Sequence, residues 1–241
     1  TRRHRRLHQQ QPQGHHARAG GIRSLSCRGL SRHREEPMRI TLQNVSKSFG
    51  REHVIRDLSH VFEPGSRTAL LGPNGSGKST LLQLIGGISI PTRGTVTHEH
   101  DGPTVDPDLV YRHISIAAPY MSLYEELSLR ETITSHKRFK PVRGALTAEE
   151  VARIALLDKH MGKPVRDLSS GMKQRLKLAL AVLSDTSLLL LDEPTSNLDK
   201  DGSAWFRDLL TKNLDARTLV VASNRQAEET FACDRSVEVG Q

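Results

Sequence analysis

A glycine-rich run at residues 72–80 has residue types and a spacing that suit the binding of a phosphate group. It comprises Gly72, Pro73, Asn74, Gly75, Ser76, Gly77, Lys78, Ser79 and Thr80, and it fits the pattern G-x-x-x-x-G-K-[ST]. Glycines let the backbone curl so that successive N–H groups point at one phosphate, and a following helix adds its positive N-terminal end. Lys78 then reaches the β- and γ-phosphates, and the Ser79 hydroxyl takes a Mg²⁺ position. The pattern predicts that this loop binds a nucleotide.

Two acidic residues, Asp192 and Glu193, follow the apolar run at residues 188–191. A strand of this composition ends at the carboxyl edge of a parallel sheet, which places both acids beside the phosphate loop. We expect Asp192 to hold Mg²⁺ through water and Glu193 to polarise the attacking water. Taken alone, the pair could equally cap the next helix, but its combination with the phosphate loop favours the catalytic interpretation.

A third motif consists of Leu168, Ser169, Ser170, Gly171, Met172, Lys173, Gln174 and Arg175. With the two motifs above, it resembles the nucleotide-binding subunits of ATP-binding-cassette (ABC) transporters, and the resemblance covers residues 38–241. The signature of that family is L-S-G-G-Q followed by a Q-R pair, so Ser170 and Met172 stand where Gly and Gln are usual. The resemblance implies that the Ser169 hydroxyl and the Gly171 N–H bind the γ-phosphate of an ATP held by another subunit. A local role, with the two serines as the N-cap of the following helix, is compatible with the same residues.

The same resemblance implies an adenine contact and two kinds of protein partner. Phe49 occupies the position where the family stacks an aromatic ring on adenine, with a core aromatic at a strand end as the alternative. A homodimer, or a pair with a similar cassette, would enclose two molecules of ATP with Mg²⁺. Hydrolysis would drive a separate transmembrane permease, with this subunit on the cytoplasmic face of the inner or plasma membrane. Residues 119–140 are the expected docking surface for that permease, unless they form the core of a helical subdomain.

Two positions depart from the family pattern and bear on the rate of hydrolysis. Pro119 replaces the family's glutamine, which contacts Mg²⁺ and the membrane subunit. Asn224 replaces the histidine that bonds the γ-phosphate, and an asparagine can donate a hydrogen bond but carries neither a transferable proton nor a positive charge. We therefore expect Lys78, Glu193 and Asn224 to be the catalytic residues of an ATPase that is slower and less sensitive to pH than relatives with the full motif.

The hydrophobic pattern predicts the elements that position these motifs. Short apolar strands alternate with helices, which is typical of a parallel sheet with helices on its faces. Strands are predicted at residues 40–45, 54–62, 68–71, 95–97, 111–117, 187–191 and 218–222, and helices at 78–85, 171–183 and 203–210, with a polar helical region at 128–167. Together with the resemblance, this predicts an α/β fold of the P-loop NTPase class. It has a mainly parallel core sheet, an antiparallel β subdomain and a small helical subdomain at about residues 119–175 that carries the signature motif.

The net charge of +8 is concentrated near the N-terminus. Residues 1–37 contain nine arginines, five histidines, two glutamates and no lysine, a net charge of +7. Residues 38–241 therefore lack the basic excess of a nucleic-acid footprint, and no specific nucleic acid is expected as a partner. We predict that residues 1–37 are a disordered or non-native extension and that Met38 is the native start. A transit peptide and an arm that binds RNA or anionic lipid are the alternatives.

Composition and motif order limit the remaining function classes. No apolar run approaches the roughly 20 residues that span a bilayer, and two cysteines are too few for a disulfide scaffold. A soluble cassette ATPase acting on ribosomes or DNA is one alternative, disfavoured by the single cassette and by the lack of a long coiled coil between the phosphate loop and the acidic strand. A slow or degenerate nucleotide switch is the other, and the retention of Glu193 argues against it.

Overall fold

The computed structural model describes residues 36–240, so the predicted extension at residues 1–37 lies outside the described residues except for its last two. The strands are β1 (Arg39–Phe49), β2 (Glu52–Phe62), β3 (Arg67–Leu71), β4 (Arg93–Glu99), β5 (Ile114–Ala117), β6 (Leu188–Asp192), β7 (Thr218–Ser223) and β8 (Arg235–Glu238). The helices are α1 (Lys78–Ile85), α2 (Leu129–Phe139), α3 (Ala148–Ile154), α4 (Ser170–Leu183), α5 (Lys200–Asn213) and α6 (Ala227–Thr230). An antiparallel sheet has the order β2-β1-β4, and a parallel sheet has the order β5-β6-β7-β3-β8. This arrangement confirms the predicted α/β class with a parallel core sheet and an antiparallel β subdomain.

The parallel sheet is covered by apolar layers on both faces. Leu188 and Leu190 of β6 cluster with residues of α1 and β1, whereas Leu189 and Leu191 cluster with residues of α4 and α5. The side chains of β7 alternate between the same two layers. Because successive side chains of a strand point to opposite faces, a strand buried on both sides is apolar at every position. This explains the unbroken run of leucines before Asp192.

The region between β5 and β6 contains two helices with capping boxes. Ser128 accepts a hydrogen bond from the Glu131 N–H, and the Glu131 carboxylate accepts one from the Ser128 N–H. Thr147 and Glu150 form the same reciprocal pair at the start of α3. Each box satisfies two backbone donors that have no partner within the helix, and it fixes the residue at which the helix begins. The boundaries of a helical subdomain at about residues 119–175 stay a prediction.

The predicted strand at residues 111–117 is wrong in its first half. Pro107–His113 forms a 3₁₀ helix, and β5 begins only at Ile114. Asp106 starts the 3₁₀ helix, because its carboxylate accepts a hydrogen bond from the Asp108 N–H at 2.9 Å and a proline follows it. Val110 of this helical turn packs in the apolar layer that contains Leu188 and Leu190, whereas Leu109 and Tyr111 are exposed.

Arg217 is a fully buried side chain that binds the C-terminal ends of two helices. Its guanidinium donates to the carbonyls of Val182 (2.8 Å) and Ser184 (3.3 Å) at the end of α4. It also donates to the carbonyls of Asn213 (2.6 Å) and Leu214 (3.3 Å) at the end of α5. Burial lowers the pKa of Arg217 to about 9, so the side chain keeps its charge at neutral pH. Terminal helix carbonyls have no partner within the helix, and Arg217 supplies donors to both helix ends, with Arg143 as a second donor to the carbonyls of Ser184 and Asn213.

The substitution Arg217→Ala is expected to lower the free energy of unfolding by about 3 kcal/mol, because a large buried side chain is removed, the Val182 carbonyl loses the donor that Arg217 supplies, and the carbonyls of Ser184 and Asn213 keep only their bonds to Arg143. Urea unfolding of the full chain, followed by circular dichroism, measures this loss. Arg138→Ala, at an exposed position of α2, is the matched control and should change stability by less than about 0.5 kcal/mol. Equal effects of the two substitutions would contradict the role assigned to Arg217.

Candidate functional site

Three neighbouring strands of the parallel sheet bring the predicted site residues to one edge. Leu71, the last residue of β3, pairs with Ser223, the last residue of β7. Asp192, the last residue of β6, pairs with Ala222 of β7. The phosphate loop, the acidic pair and Asn224 therefore leave the sheet at the same level. This is the edge at which open α/β sheets bind ligands.

Close packing requires glycine at two positions of the phosphate loop. A Cβ atom on Gly72 would lie 2.6 Å from both Ser76 Oγ and the Val239 carbonyl oxygen. A Cβ atom on Gly77 would lie 2.8 Å from Val54 Cγ1, and Gly77 has a φ of +97°, which favours glycine. The loop is thus pressed against β2 and the segment after β8. Its N–H groups are held at the N-terminus of α1, an arrangement that binds phosphate.

Lys78 is buried, and three oxygen atoms hold its ammonium group. Nζ donates to the carbonyls of Gly72 and Pro73, each at 2.9 Å, and to Asn224 Oδ1 at 3.0 Å. These contacts use the three donors of the ammonium group. A phosphate that binds Lys78 must replace one of these oxygens. The Asn224 contact is the one that a side-chain rotation can release, because the other two belong to the loop backbone.

Asp192 is buried, and within the described residues neither of its carboxylate oxygens has a hydrogen-bond partner. Burial raises its pKa, the neighbouring Ser79 hydroxyl and Lys78 ammonium oppose the rise, and the charges of Glu193 and Glu229 add to it. Because Ser79 and Lys78 both affect the pKa of Asp192, the phosphate loop lies beside the acidic pair. A buried carboxylate without a partner is unfavourable unless a cation or donor binds it. Beside a serine hydroxyl it offers the oxygen ligands that Mg²⁺ prefers, so the residues present fit this ion.

Glu193 lies in a strained turn that contacts two elements. Its φ is 44°, which is uncommon for a residue other than glycine. Its N–H donates to the Ala222 carbonyl at 2.9 Å, and its carbonyl accepts from the Ser196 N–H at 3.0 Å. The next carbonyl, of Pro194, accepts from Gln174 Nε2 of α4 at 2.9 Å. Such a conformation persists where surrounding contacts determine it, and here β7 and α4 hold the turn from two sides.

The signature motif forms the start of α4. Ser169 is the N-cap, and its hydroxyl accepts the Met172 N–H at 3.3 Å, so the local capping role is present. Ser169 and Ser170 are exposed, whereas Met172 packs partly against the core. A Cβ on Gly171 would lie 3.1 Å from the Asn197 carbonyl oxygen, so this glycine contacts the loop after the acidic pair. Contact with a nucleotide on another subunit stays a prediction.

Phe49 ends β1 with 54% of its surface exposed. Lys47 Nζ lies 5.0 Å from the centre of the ring and also donates to the Ile90 carbonyl at 2.7 Å. The alternative that Phe49 is a core aromatic is therefore wrong. Its ring is available to a ligand, and its contact with adenine stays a prediction.

Pro119 occupies an exposed position in the turn after β5 and brings no polar side chain to the site. Its neighbour Tyr120 does. Burial raises the pKa of Tyr120 to about 12, the nearby Gln83 side chain opposes the rise, and the charge of Asp192 adds to it. Tyr120 and Gln83 thus place polar groups close to Asp192. Sequence reasoning missed them because neither stands at a motif position.

Glu229 is a buried carboxylate that joins two loops of the site. Its Oε1 accepts the Thr195 N–H at 3.2 Å and the Thr195 hydroxyl at 2.9 Å, and its Oε2 accepts the Ser223 hydroxyl at 2.5 Å. Thr195 follows the acidic pair and Ser223 precedes Asn224, so one carboxylate fixes the separation of these loops. Sequence reasoning missed Glu229, since a four-residue helix has too little periodicity to distinguish it from the exposed Glu228.

Comparison with known proteins identifies relatives of the chain. A family model described as ABC transporter matches residues 55–196. The Nod factor export ATP-binding protein I of Rhizobium johnstonii is 34% identical over 206 residues, which cover 83% of this chain and 65% of that protein. The sulfate/thiosulfate import ATP-binding protein CysA of Halalkalibacterium halodurans is 33% identical over 215 residues, which cover 85% of this chain and 59% of that protein. The chain thus spans less than two thirds of the length of these curated relatives.

Two solved structures of a bacterial ABC transporter cassette are similar to the chain. One is described as dimeric, with a TM-score of 0.70, 26% identity, and coverage of 83% of this chain and 94% of that one. The other is described as a dimeric post-hydrolysis state bound to ADP and Pi, with the same TM-score, identity and coverage. These similarities confirm the predicted P-loop fold class.

The substitution Glu229→Gln is expected to lower the free energy of unfolding by about 2 kcal/mol. The amide nitrogen of glutamine takes the place of one carboxylate oxygen and cannot accept, so the buried donors of either Thr195 or Ser223 lose their acceptor. Urea unfolding of the full chain measures the effect, with the exposed neighbour Glu228→Gln as the control, expected to be neutral. If both variants unfold at the same urea concentration as the parent, Glu229 does not hold the two loops.

Proposed function

The chain belongs to the ABC transporter family, and on this basis we propose that it is an ATP-binding and ATP-hydrolysing subunit that energises a separate transmembrane partner. The observation that carries the proposal is the buried carboxylate of Asp192, which has no hydrogen-bond partner in the described part of the chain and lies beside Ser79 and Lys78. The ammonium group of Lys78 suits the phosphates of a nucleotide, and the carboxylate of Asp192 suits the Mg²⁺ that accompanies them. The names of relatives as ATP-binding proteins support ATP as the nucleotide.

In the proposed reaction, the γ-phosphate of ATP is transferred to water. The loop N–H groups and Lys78 bind the β- and γ-phosphates. Ser79 and Asp192 would hold Mg²⁺, which neutralises phosphate charge when it is bound. Glu193 orients the attacking water by accepting its hydrogen bond. It takes the proton as the water oxygen bonds to the γ-phosphorus, the bond to the β-phosphate oxygen breaks and ADP leaves. Asn224 donates its amide N–H to the γ-phosphate.

A second subunit would complete each nucleotide site. The exposed serines at the start of α4 and the contact of Gly171 with the Asn197 carbonyl place the signature motif and the loop after the acidic pair on one surface. We propose that this surface covers the phosphate loop of a second copy, or of a similar cassette, in a head-to-tail dimer. The dimeric form described for a similar cassette supports this arrangement.

The proposed membrane partner docks on residues 119–140. No helix among residues 36–240 is long and apolar enough to cross a membrane. Tyr124 is 79% exposed, with Tyr120 and Met121 also exposed, whereas Leu123 packs against the core. A cluster of exposed large apolar side chains of this kind marks an interaction surface. Docking there would hold the subunit on the cytoplasmic face of the inner or plasma membrane.

An affinity pull-down from detergent-solubilised native membranes tests the partner. We expect a polytopic membrane protein in stoichiometric amount, and we expect less of it with a Tyr124→Ala variant, since Tyr124 is the most exposed member of the cluster. Recovery of ribosomal proteins, or of no membrane protein, would contradict the transporter assignment and favour the soluble cassette ATPase.

The substitution Glu193→Gln is expected to lower the rate of phosphate release by about 100-fold or more, because the amide cannot accept the proton of the attacking water. Binding of Mg²⁺–ATP should persist. Phosphate release and ATP titration of the full chain measure the two effects, with Glu228→Gln as the matched control. A parent protein that binds ATP but releases no more phosphate than Glu193→Gln would be a nucleotide switch, contrary to the proposed ATPase.

The substitution Asn224→His is expected to raise turnover several-fold and to introduce a dependence on pH. An imidazole ionises near pH 6.5, whereas an amide does not titrate. The ratio of variant to parent turnover should therefore change between about pH 5.5 and 7.5, while the parent rate changes little. A constant ratio, with no gain in turnover, would contradict a role of Asn224 at the γ-phosphate.

A further inference from the structure

Arg225 borders the cavity of the phosphate loop, and none of the motifs accounts for it. The cavity has a volume of about 360 Å³ and is lined by Gly72, Pro73, Asn74, Asn224 and Arg225. Among these described lining residues, Arg225 alone carries a charge. The carbonyls of Gly72 and Pro73, which also line this cavity, are acceptors of Lys78, so Arg225 and Lys78 both lie next to this part of the loop.

The backbone at Arg225 is held in an uncommon conformation. Its φ is 67°, a left-handed value that long side chains rarely adopt. The turn is fixed on both sides, because the Ser223 hydroxyl accepts the Gln226 N–H at 3.1 Å and donates to the buried Glu229. Strained residues of this kind cluster where a site requires a particular side-chain position. Here the position is the rim of the phosphate cavity.

Arg225 forms an exposed ion pair that a phosphate group could replace. Its Nη2 atom donates to Glu238 Oε2 at 2.8 Å, with 63% of the arginine side chain and 38% of the glutamate side chain exposed. Ion pairs with this exposure contribute little to stability. Glu238 also borders a second groove with Gly75 and Ser76 of the phosphate loop. The pair therefore holds the guanidinium close to the loop without binding it firmly.

Asn224 contributes no positive charge to the phosphate cavity. An amide donates a hydrogen bond without charge, whereas the planar guanidinium of arginine binds phosphate oxygens in pairs and stabilises charge that develops during phosphoryl transfer. We propose that Arg225 is a phosphate-binding residue, whose guanidinium leaves Glu238 when the nucleotide binds and contacts its terminal phosphate. The inference rests on the proposed function, because it requires that the cavity binds a nucleoside triphosphate.

Titration calorimetry of the full chain with ATP and with ADP tests this inference, in a Glu193→Gln background that preserves the ATP. Arg225→Gln is expected to weaken ATP binding by about 10- to 100-fold and ADP binding much less, since ADP lacks the terminal phosphate. Arg225→Lys should recover part of the loss. Glu238→Gln should strengthen ATP binding, because it removes the competing carboxylate.

Arg39→Gln is the matched control. Arg39, the first residue of β1, also forms an ion pair with a glutamate, Glu63, at 3.4 Å, and both side chains are partly exposed. This variant should bind both nucleotides as the background protein does.

Four outcomes would overturn the inference. Equal weakening by Arg225→Gln and Glu238→Gln would make the ion pair itself the important feature. Equal weakening of ATP and ADP binding would exclude contact with the terminal phosphate. Unchanged binding with loss of ATP-dependent dimerisation, measured by size-exclusion chromatography, would place Arg225 at a contact between subunits. If Arg225→Gln binds ATP and ADP as tightly as the background protein does, this inference alone is refuted. If the background protein binds no ATP at all, the proposed function is refuted as well.

Discussion

The register of three parallel strands is the constraint on which the whole site depends. Leu71, Asp192 and Ser223 end neighbouring strands at one level of the sheet, and each chemical group follows directly from one of these ends. Side chains alternate between two apolar layers, so a shift of one residue would move every leucine of β6 to the wrong layer. The apolar residues that stabilise the sheet therefore also fix the distances between the phosphate loop, the acidic pair and Asn224.

Two buried carboxylates at this edge have different roles, and their hydrogen bonds distinguish them. The oxygens of Glu229 accept hydrogen bonds from Thr195 and Ser223, so both have partners inside the protein. The oxygens of Asp192 find no such donor among residues 36–240, and burial raises its pKa. A satisfied carboxylate stabilises the loops around it, whereas an unsatisfied one is stabilised by a ligand. A bound cation would therefore offset the free energy that burial of the Asp192 carboxylate costs.

The local parts of this design could be predicted from the sequence, and the long-range parts could not. The phosphate loop and the bounds of α1 follow from contiguous residues, and β6 follows from an unbroken apolar run, because local backbone geometry and burial determine them. The 3₁₀ helix Pro107–His113 was misassigned, since its apolar residues fit a strand as well as a turn that covers the sheet. Glu229 and Arg225 acquire their importance through contacts with distant loops, which no local pattern records.

The replacement of an imidazole by Asn224 changes how positive charge is distributed around the phosphate. The oxygen and nitrogen of an amide lie on the same end of the side chain, so the rotation that takes Oδ1 away from Lys78 can turn the amide nitrogen toward a phosphate beside it. An imidazole has its donor and acceptor on opposite sides of a ring and gains charge only on protonation. In the proposed arrangement the two tasks would be separate, with Asn224 donating a neutral hydrogen bond and the adjacent Arg225 supplying the charge. Because an amide, unlike an imidazole, does not titrate, we expect the turnover of this arrangement to depend little on pH.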